Sequence, residues 1–223
     1  MMVFRAAIFD LDGVLVDSAR LHFVAWKRIA DELGIAFAEQ DNEALKGIDR
    51  MGSLDHILAL GAVSLDLPAK EELAARKNGY YLDALATMSD ADILPGATAL
   101  LAGARAAGLS LGIASASRNA TMVLERAGLL GSIDFVADAA KVARSKPAPD
   151  IFLACAAGLG VAPAACVGFE DAAAGVTAIK AADMVAIGIG DAGILAEADL
   201  VFASTAAVDL DQVLRLTPAP SQV

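Results

Sequence analysis

Short apolar runs alternate along the chain with longer segments in which apolar residues recur every three or four positions. The runs occupy residues 3–11, 109–114, 135–137, 165–169, 184–189 and 200–203. Runs rich in Val, Ile and Leu are typical of strands that are buried on both faces. Helical periodicity marks residues 97–107, 120–127, 149–158 and 172–182. This alternation predicts an α/β fold with a parallel sheet between helices.

Residues 16–92 interrupt the alternation, because they contain no strand-like run. Helical periodicity instead covers residues 21–33, 42–46, 53–60 and 69–88. A crossover between parallel strands needs only one helix, so this block exceeds what the sheet requires. We therefore predict a helical cap at residues 16–92. It is inserted into a core formed by residues 1–15 and 93–223.

Glycine positions predict where several core helices end. Gly108, Gly128 and Gly158 each follow an apolar helical segment and are expected at the position just beyond the last helical residue. Asp183 stands where a glycine is expected in the same role, and aspartate tolerates that backbone conformation with modest strain. The tail at residues 218–223 is expected to be disordered.

The charge of the chain restricts its partners. It has 28 acidic and 17 basic residues, for a formal net charge of −11. Nucleic acids and anionic membranes bind through an excess of Lys and Arg, so both are disfavoured. A small anionic substrate responds instead to the local charge of its pocket. Arg5 and Asp10 interrupt the apolar start where a signal peptide would continue, so we expect a cytoplasmic protein. A monomer is expected as well. Cys155 and Cys166 are interpreted as buried free thiols.

Asp10, Asp12 and Gly13 follow the first predicted strand. Residues two apart in an extended chain point the same way, so both carboxylates can face one pocket. Ligands bind at this edge of open parallel sheets, and Gly13 allows the chain to turn sharply there. The motif alone is weak, since acidic residues also occur at strand ends and turns without any catalytic role.

Polar groups at other strand ends strengthen the functional interpretation. Ser115 and Ser117 follow the second strand, and hydroxyl groups suit phosphate oxygens. Lys146 lies between a strand and a helix, next to Pro147. Glu170 and Asp171 open another helix, where acids can also simply complement the helix dipole.

These residue types match the needs of phosphoryl transfer. A carboxylate that attacks a phosphate ester needs charge relief, because one anion approaches another. Mg²⁺ suits a site made only of oxygen ligands, here Asp10, the backbone carbonyl of Asp12, Glu170 and Asp171. Lys146 and Ser115 would contact the transferring oxygens. Asp10 is the candidate nucleophile and Asp12 the candidate acid and base, a role that requires a raised pKa.

Four motifs together resemble the haloacid dehalogenase superfamily. They are FDLDGVLVDS around Asp10, ASAS at Ser115, SKPAPD at Lys146 and GFEDAAAGV at Asp171. Their order and spacing match over nearly the whole chain. The resemblance implies a Rossmann-like parallel sheet core, an inserted α-helical cap, Mg²⁺ and an aspartyl-phosphate on Asp10.

A narrower resemblance, to the β-phosphoglucomutase family, rests on LHFVAWK, LKGIDR, ARKN and ASASRN. It implies interconversion of β-D-glucose 1-phosphate and glucose 6-phosphate through glucose 1,6-bisphosphate. It also implies substrate contacts from the sugar-phosphate pocket. These are Asp10, Leu11, Asp12, His22, Trp26, Gly47, Ile48, Asp49, Arg50, Ser53, Lys77, Ser115, Ala116, Ser117, Arg118, Asn119 and Lys146.

Other interpretations stay open at this point. Arg50 and Lys77 could be solvated surface charges, while His22 and Trp26 could be ordinary interior residues. A sugar-phosphate phosphatase needs the same Asp10 site but no second anion site, so the cap residues decide between the two activities. The remaining alternative is a sugar-phosphate-binding protein without activity. Such a protein would not need Asp10, yet Asp10 is intact.

Overall fold

The computed structural model describes residues 4–217, and within them six strands form one parallel sheet. The strands are β1 (Ala6–Phe9), β2 (Ser110–Ile113), β3 (Phe135–Val136), β4 (Cys166–Glu170), β5 (Val185–Ile189) and β6 (Leu200–Phe202). All lie within or overlap the predicted runs, so the predicted α/β fold with a Rossmann-like parallel sheet is confirmed. Residue 3 of the first run and the predicted disordered tail at residues 218–223 lie outside the described residues.

β1 lies inside the sheet at the point where the strand order reverses. The order is β3-β2-β1-β4-β5-β6, so β1 pairs with β2 on one side and β4 on the other. Phe9 and Phe169 stack across the β1–β4 pair with ring centroids 4.7 Å apart. Ligand sites of open parallel sheets form at such a reversal, beyond the carboxyl ends of the strands. The residues that follow β1, β2 and β4 are therefore held side by side.

Helices cover both faces of the sheet. Those of the described chain are α1 (Ala19–Glu32), α2 (Glu39–Glu43), α3 (Arg50–Leu60), α4 (Leu67–Leu85), α5 (Ala97–Ala106), α6 (Ala120–Arg126), α7 (Asp150–Leu159), α8 (Ala173–Ala181) and α9 (Leu210–Leu214). Ala7 and Phe9 of β1 pack in one apolar cluster with α5, α6 and α9, while Ala6 and Ile8 pack with α7 and α8. This split follows from the alternation of side chains along a strand. None of these helices within residues 4–217 is long and apolar enough to cross a bilayer.

α1–α4, called the cap below, have an apolar cluster of their own. Trp26 and Ile29 of α1 pack there with Leu54 and Ile57 of α3. Tyr81 of α4 instead joins the cluster of the sheet, so the cap lies against the rest of the chain, called the core below. The two connections run side by side, since the backbone N–H of residue 17 donates to the carbonyl of residue 92 at 2.8 Å. The domain boundaries at residues 16 and 92 stay a prediction.

One predicted helix end is wrong, and the other glycine positions are confirmed. Gly158 does not end α7, which continues to Leu159 and is followed by the left-handed Gly160. A Cβ on Gly158 would lie 2.3 Å from the Phe135 ring, so this glycine serves close packing of helix on sheet. Gly108 and Gly128 have the expected positive φ, as has Asp183 at 58°.

Two short helices also differ from the prediction. α2 covers Glu39–Glu43 rather than residues 42–46, because Asp41 accepts the backbone N–H of Ala38 at 2.8 Å and fixes an earlier start. α3 starts at Arg50 rather than residue 53, since Asp49 accepts the N–H of Gly52 and caps the helix. α9 was not predicted.

Candidate active site

Three carboxylates converge at the carboxyl edge of the sheet. Asp10 directly follows β1, Glu170 ends β4, and Asp171 comes next in the chain. One oxygen of each lies within 4.8 Å of the others. The backbone N–H of Asp10 donates to the carbonyl of Phe169 at 2.9 Å, so the pairing of β1 with β4 itself places the carboxylates together.

Two glycines make room for this cluster. Gly13 has φ +87°, and a Cβ there would lie 2.3 Å from Asp171 Oδ2. The sharp turn expected at Gly13 is therefore confirmed. A Cβ on Gly175 in α8 would lie 2.0 Å from Glu170 Oε2, so the helix approaches the carboxylate through a bare backbone.

Lys146 joins two of the carboxylates. Its Nζ donates to Asp10 Oδ1 and to Glu170 Oε2, each at 2.7 Å, and its side chain has no solvent exposure. Burial alone would lower the pKa of Lys146, but the charges of Asp10 and Glu170 raise it above its usual range. The lysine is therefore a fixed positive charge against the Asp10 carboxylate.

The donor set fits a hard divalent cation. Burial, followed by the Asp10 charge, raises the pKa of Asp171 to about 7 and raises that of Glu170 as well. Asp10 and Glu170 share the Lys146 ammonium group, while Lys46 lies 3.7 Å from Asp171. The raised pKa values show that the three carboxylates still repel one another, and a divalent cation would relieve that repulsion. Carboxylate oxygens are the ligands that Mg²⁺ prefers. The Asp12 carboxylate lies outside this cluster, and the expected contribution of its backbone carbonyl stays a prediction.

Asp12 has a different environment, suited to proton transfer. Ser18 Oγ donates to its Oδ1, and Ser115 Oγ donates to its Oδ2 at 3.4 Å. Burial, followed by the Asp10 charge, raises the pKa of Asp12 to about 6. A carboxyl group with that pKa can both give and take a proton near neutral pH. This agrees with the raised pKa that the acid and base role requires.

A cavity of about 570 Å³ extends from these carboxylates to the cap. Arg50 of the cap and Arg118 and Asn119 of the core line it as well. Burial, followed by the charge of Arg118, lowers the pKa of Arg50. Among the described residues, neither guanidinium has a carboxylate within 4.0 Å. The cavity therefore has a second electropositive region besides Lys146.

His22 and Lys77 connect that region to Asp12. Lys77 Nζ lies 2.9 Å from His22 Nδ1 and 4.8 Å from the centroid of the Trp26 ring. When Lys77 is protonated, its ammonium group can only donate, so Nδ1 accepts and Nε2 carries the imidazole proton. His22 Nε2 lies 3.8 Å from Asp12 Oδ1. Burial lowers the pKa of His22 most, and the positive charges of Lys77 and Arg50 lower it further. The pKa lies well below its usual value, so the ring stays neutral.

Most of the predicted substrate residues line this cavity. They are Asp10, Asp12, His22, Trp26, Gly47, Ile48, Asp49, Arg50, Ser53, Lys77, Ser115, Ala116, Ser117, Arg118, Asn119 and Lys146. Leu11 does not, because its side chain is buried in the apolar cluster of the sheet and only its backbone could take part. Glu170 lies beneath the cavity, behind Lys146. The arrangement agrees with the expected pocket, while the roles of single residues stay predictions.

Comparison with known proteins agrees with this geometry. The family model for haloacid dehalogenase-like hydrolases matches residues 4–183. The chain belongs to the haloacid dehalogenase-like hydrolase family. It is 42% identical to beta-phosphoglucomutase of Bacillus subtilis (strain 168) over 93% of this chain and 92% of the relative. It is 32% identical to fructose-1-phosphate phosphatase YqaB of Escherichia coli (strain K12) over 83% of this chain and 96% of the relative. A crystal structure of beta-phosphoglucomutase from Clostridium difficile superposes with a TM-score of 0.91 at 42% identity, covering 94% and 95% of the two chains.

Four polar residues of this haloacid dehalogenase-like site were not among the predicted contacts. Ser18 precedes α1 but donates to Asp12 instead of capping the helix. Asn78 bonds both Arg50 and Asn119, and Lys46 lies 3.7 Å from Asp171. Tyr81 is fully buried beside His22, with a hydroxyl group that has no partner among the described residues. Of these four residues, only Ser18 could have been predicted from the sequence, because it is a serine at a helix start and is close to Asp12 in the chain.

Lys77 makes the stability of this family member depend on pH. Burial, followed by the charge of Arg50, lowers the pKa of Lys77 to about 7. An unfolded lysine keeps its proton to about pH 10.4, so between pH 7 and 10 the unfolded chain binds more protons and rising pH favours the folded state. We expect the free energy of unfolding of the wild type to rise relative to Lys77→Met over that range.

Urea unfolding of both proteins at pH 6, 8 and 9.5, each in metal-free buffer, measures this difference. Lys70→Met is the control, because it removes a lysine charge from a more exposed position of the same helix. A difference between wild type and Lys77→Met that does not change with pH would contradict the account of Lys77.

Proposed function

We propose that the chain is a β-phosphoglucomutase. It interconverts β-D-glucose 1-phosphate and glucose 6-phosphate through an aspartyl-phosphate on Asp10 and a glucose 1,6-bisphosphate intermediate. The proposal rests on one cavity that has two cationic regions. Lys146 lies beside Asp10 in the first, and Arg50 and Arg118 form the second. A sugar with two phosphates needs both regions. The 42% identity to the Bacillus subtilis beta-phosphoglucomutase supports the same substrate.

Asp10 carries the phosphoryl group between the two positions of the sugar. In the first half-reaction, the C6 hydroxyl oxygen of β-glucose 1-phosphate attacks the phosphorus of phospho-Asp10 and yields the bisphosphate. After the bisphosphate turns round, Asp10 attacks the phosphorus at C1, and the C1 oxygen leaves as glucose 6-phosphate. Lys146, bonded to Asp10 Oδ1, offsets negative charge at the nucleophile in both steps.

Asp12 moves the proton that each transfer requires. Its carboxylate takes the proton of the C6 hydroxyl in the first half-reaction and returns one to the C1 oxygen in the second. The pKa of about 6 suits this exchange. Ser18 and Ser115 hold the carboxylate beside the nucleophile between transfers. The neutral His22 of the cap lies beside this carboxylate, with Nε2 3.8 Å from Asp12 Oδ1.

Mg²⁺ is the proposed cofactor. Asp10, Glu170 and Asp171 would hold it through carboxylate oxygens, together with the backbone carbonyl of Asp12. When bound, Mg²⁺ offsets the repulsion between Asp10 and the phosphoryl oxygens as the two approach.

Cationic and polar residues of the cap and of the facing core account for transfer between sugar positions rather than to water. Arg50, Lys77, Arg118 and Asn119 would bind the phosphate that is not being transferred, so that either end of the bisphosphate can face Asp10. The cap would also exclude water until phospho-Asp10 has transferred its phosphoryl group to the sugar. We further propose a monomer in the cytoplasm.

A phosphatase is the second candidate, favoured by the identity to fructose-1-phosphate phosphatase YqaB. Phosphorus NMR of the protein with β-glucose 1-phosphate, Mg²⁺ and a trace of glucose 1,6-bisphosphate separates the two activities. The mutase predicts that the signal of β-glucose 1-phosphate is replaced by that of glucose 6-phosphate. Inorganic phosphate as the main product would end the mutase proposal in favour of the phosphatase.

A further inference from the structure

Asn78 of α4 joins the cap to the core by bonding two residues that line the cavity, Arg50 and Asn119. Its Oδ1 accepts from Arg50 Nη2 at 2.7 Å and from Asn119 Nδ2 at 2.9 Å. Arg50 opens α3 in the cap, whereas Asn119 precedes α6 in the core. One amide oxygen thus receives donors from two separate parts of the chain.

The chemistry of the three groups fixes this orientation. A guanidinium group only donates, so Asn78 must present its oxygen to Arg50. The same oxygen then requires the NH₂ group of Asn119. Asn119 makes no side-chain cap to α6, and its backbone N–H donates to Ser117 Oγ at 3.2 Å. Its amide group is therefore available for the cavity.

The Asn78 oxygen has the hydrogen-bonding pattern of an oxygen of a bound phosphate. It accepts two convergent donors, one of them cationic, next to the further cation Arg118. It differs in one respect, since it carries no formal charge. A hydrogen bond with an ionised partner is roughly twice as strong as one between neutral groups, so the neutral Asn119 amide gains from a phosphate oxygen, and Arg50 exchanges a neutral acceptor for a charged one. A phosphate can therefore replace the Asn78 oxygen at these donors.

We propose that Asn78 is a positioning residue, which holds Arg50 and Asn119 in their phosphate-binding arrangement until the non-transferring phosphate takes them over. This inference rests on the proposed function, because it concerns the second phosphate of the substrate. Asn78 makes no contact with the Asp10 cluster among the hydrogen bonds of the described residues. Its substitution should therefore alter binding of that phosphate and leave chemistry at Asp10 unchanged.

Asn78→Asp gives the sharpest test. Aspartate has nearly the same size and can accept both hydrogen bonds, but its charge pairs with Arg50 and opposes an incoming phosphate. We expect KM for β-glucose 1-phosphate and Kd for glucose 6-phosphate to rise about tenfold or more, as a charged acceptor replaces a neutral one, with kcat changed less than about threefold. Gln40→Glu is the matched control, since it makes the same amide-to-carboxylate change on an exposed position of the cap.

Asn78→Ala tests whether Asn78 positions Arg50 and Asn119 or merely occupies the site of the non-transferring phosphate. Loss of the acceptor leaves Arg50 and Asn119 without their common partner, so Kd for glucose 6-phosphate should rise about threefold or more. A lower Kd in Asn78→Ala would overturn the proposal, because it would mean that Asn78 only competes with phosphate. Unchanged Kd and KM in Asn78→Asp, within about twofold, would overturn it as well.

Acetyl phosphate distinguishes this inference from the proposed function. It carries only a transferring phosphate, so its Mg²⁺-dependent hydrolysis should be equal in the wild type and Asn78→Asp. An equal loss of acetyl phosphate and glucose 1-phosphate turnover in Asn78→Asp would overturn the positioning role in favour of general damage. Calorimetric binding of glucose 6-phosphate needs no turnover, so it decides the role of Asn78 even if the wild type proves to be no mutase.

Discussion

Asp10→Asn is expected to lower kcat for glucose 6-phosphate formation by at least about 10⁴-fold, the scale on which loss of a nucleophile acts in other enzymes. The amide keeps the size of the side chain and can still accept from Lys146, but it cannot form the acyl phosphate. The remaining site, including Lys146 and the second anion site, stays in place. Binding of glucose 6-phosphate should therefore survive.

Two measurements check this expectation. Coupled assays with glucose 6-phosphate dehydrogenase give kcat, and calorimetry gives Kd for glucose 6-phosphate. Asp55→Asn is the control, because it makes the same change on an exposed cap carboxylate that pairs with Lys70 at 2.7 Å. Turnover by Asp10→Asn within about tenfold of the wild type would contradict the assignment of the nucleophile.

Lys146→Met should damage both activity and stability. Its ammonium group is completely buried and offsets two carboxylates, Asp10 and Glu170. Removal of one partner of a buried ion pair leaves uncompensated charge and costs about 3 to 5 kcal/mol. Loss of a fixed donor at the reacting group lowers kcat by about 10²- to 10³-fold. Urea unfolding and steady-state kinetics measure the two effects.

Lys180→Met is the matched control for this substitution. Lys180 Nζ also bonds a carboxylate at short distance, 2.6 Å from Asp199 Oδ1, but its side chain is 41% exposed. Exposed pairs contribute about 0 to 1 kcal/mol. Equal losses of stability in Lys146→Met and Lys180→Met would contradict the claim that the buried ion pairs of Lys146 contribute more to stability than an exposed pair.

The sheet and its acidic edge could be predicted because they depend on local patterns. A strand that is buried on both faces must be apolar throughout, and the polar residue that follows it marks the carboxyl edge. Asp10, Ser115 and Glu170 were found in this way. Gly158 misled the prediction, because its role is to let the Phe135 ring approach α7, and that contact joins distant parts of the sequence.

The contacts between cap and core could not be predicted from local patterns. Asn78 bonds Arg50 and Asn119, which are 28 and 41 positions away in the chain. Lys77 bonds His22 across 55 positions. An amide or a lysine on a helix carries no sign of such partners, and only the resemblance to known families indicated Lys77. α9 was missed because five residues are too few to establish a helical period.

A rapid acid quench detects the phosphorylation of Asp10, on which the whole mechanism depends. The protein is mixed with Mg²⁺ and glucose 1,6-bisphosphate that carries ³²P, quenched within the first turnover and digested with protease. We expect label on the peptide that contains Asp10, and no label in Asp10→Asn. Label on any other residue, or turnover without a labelled enzyme, would contradict it.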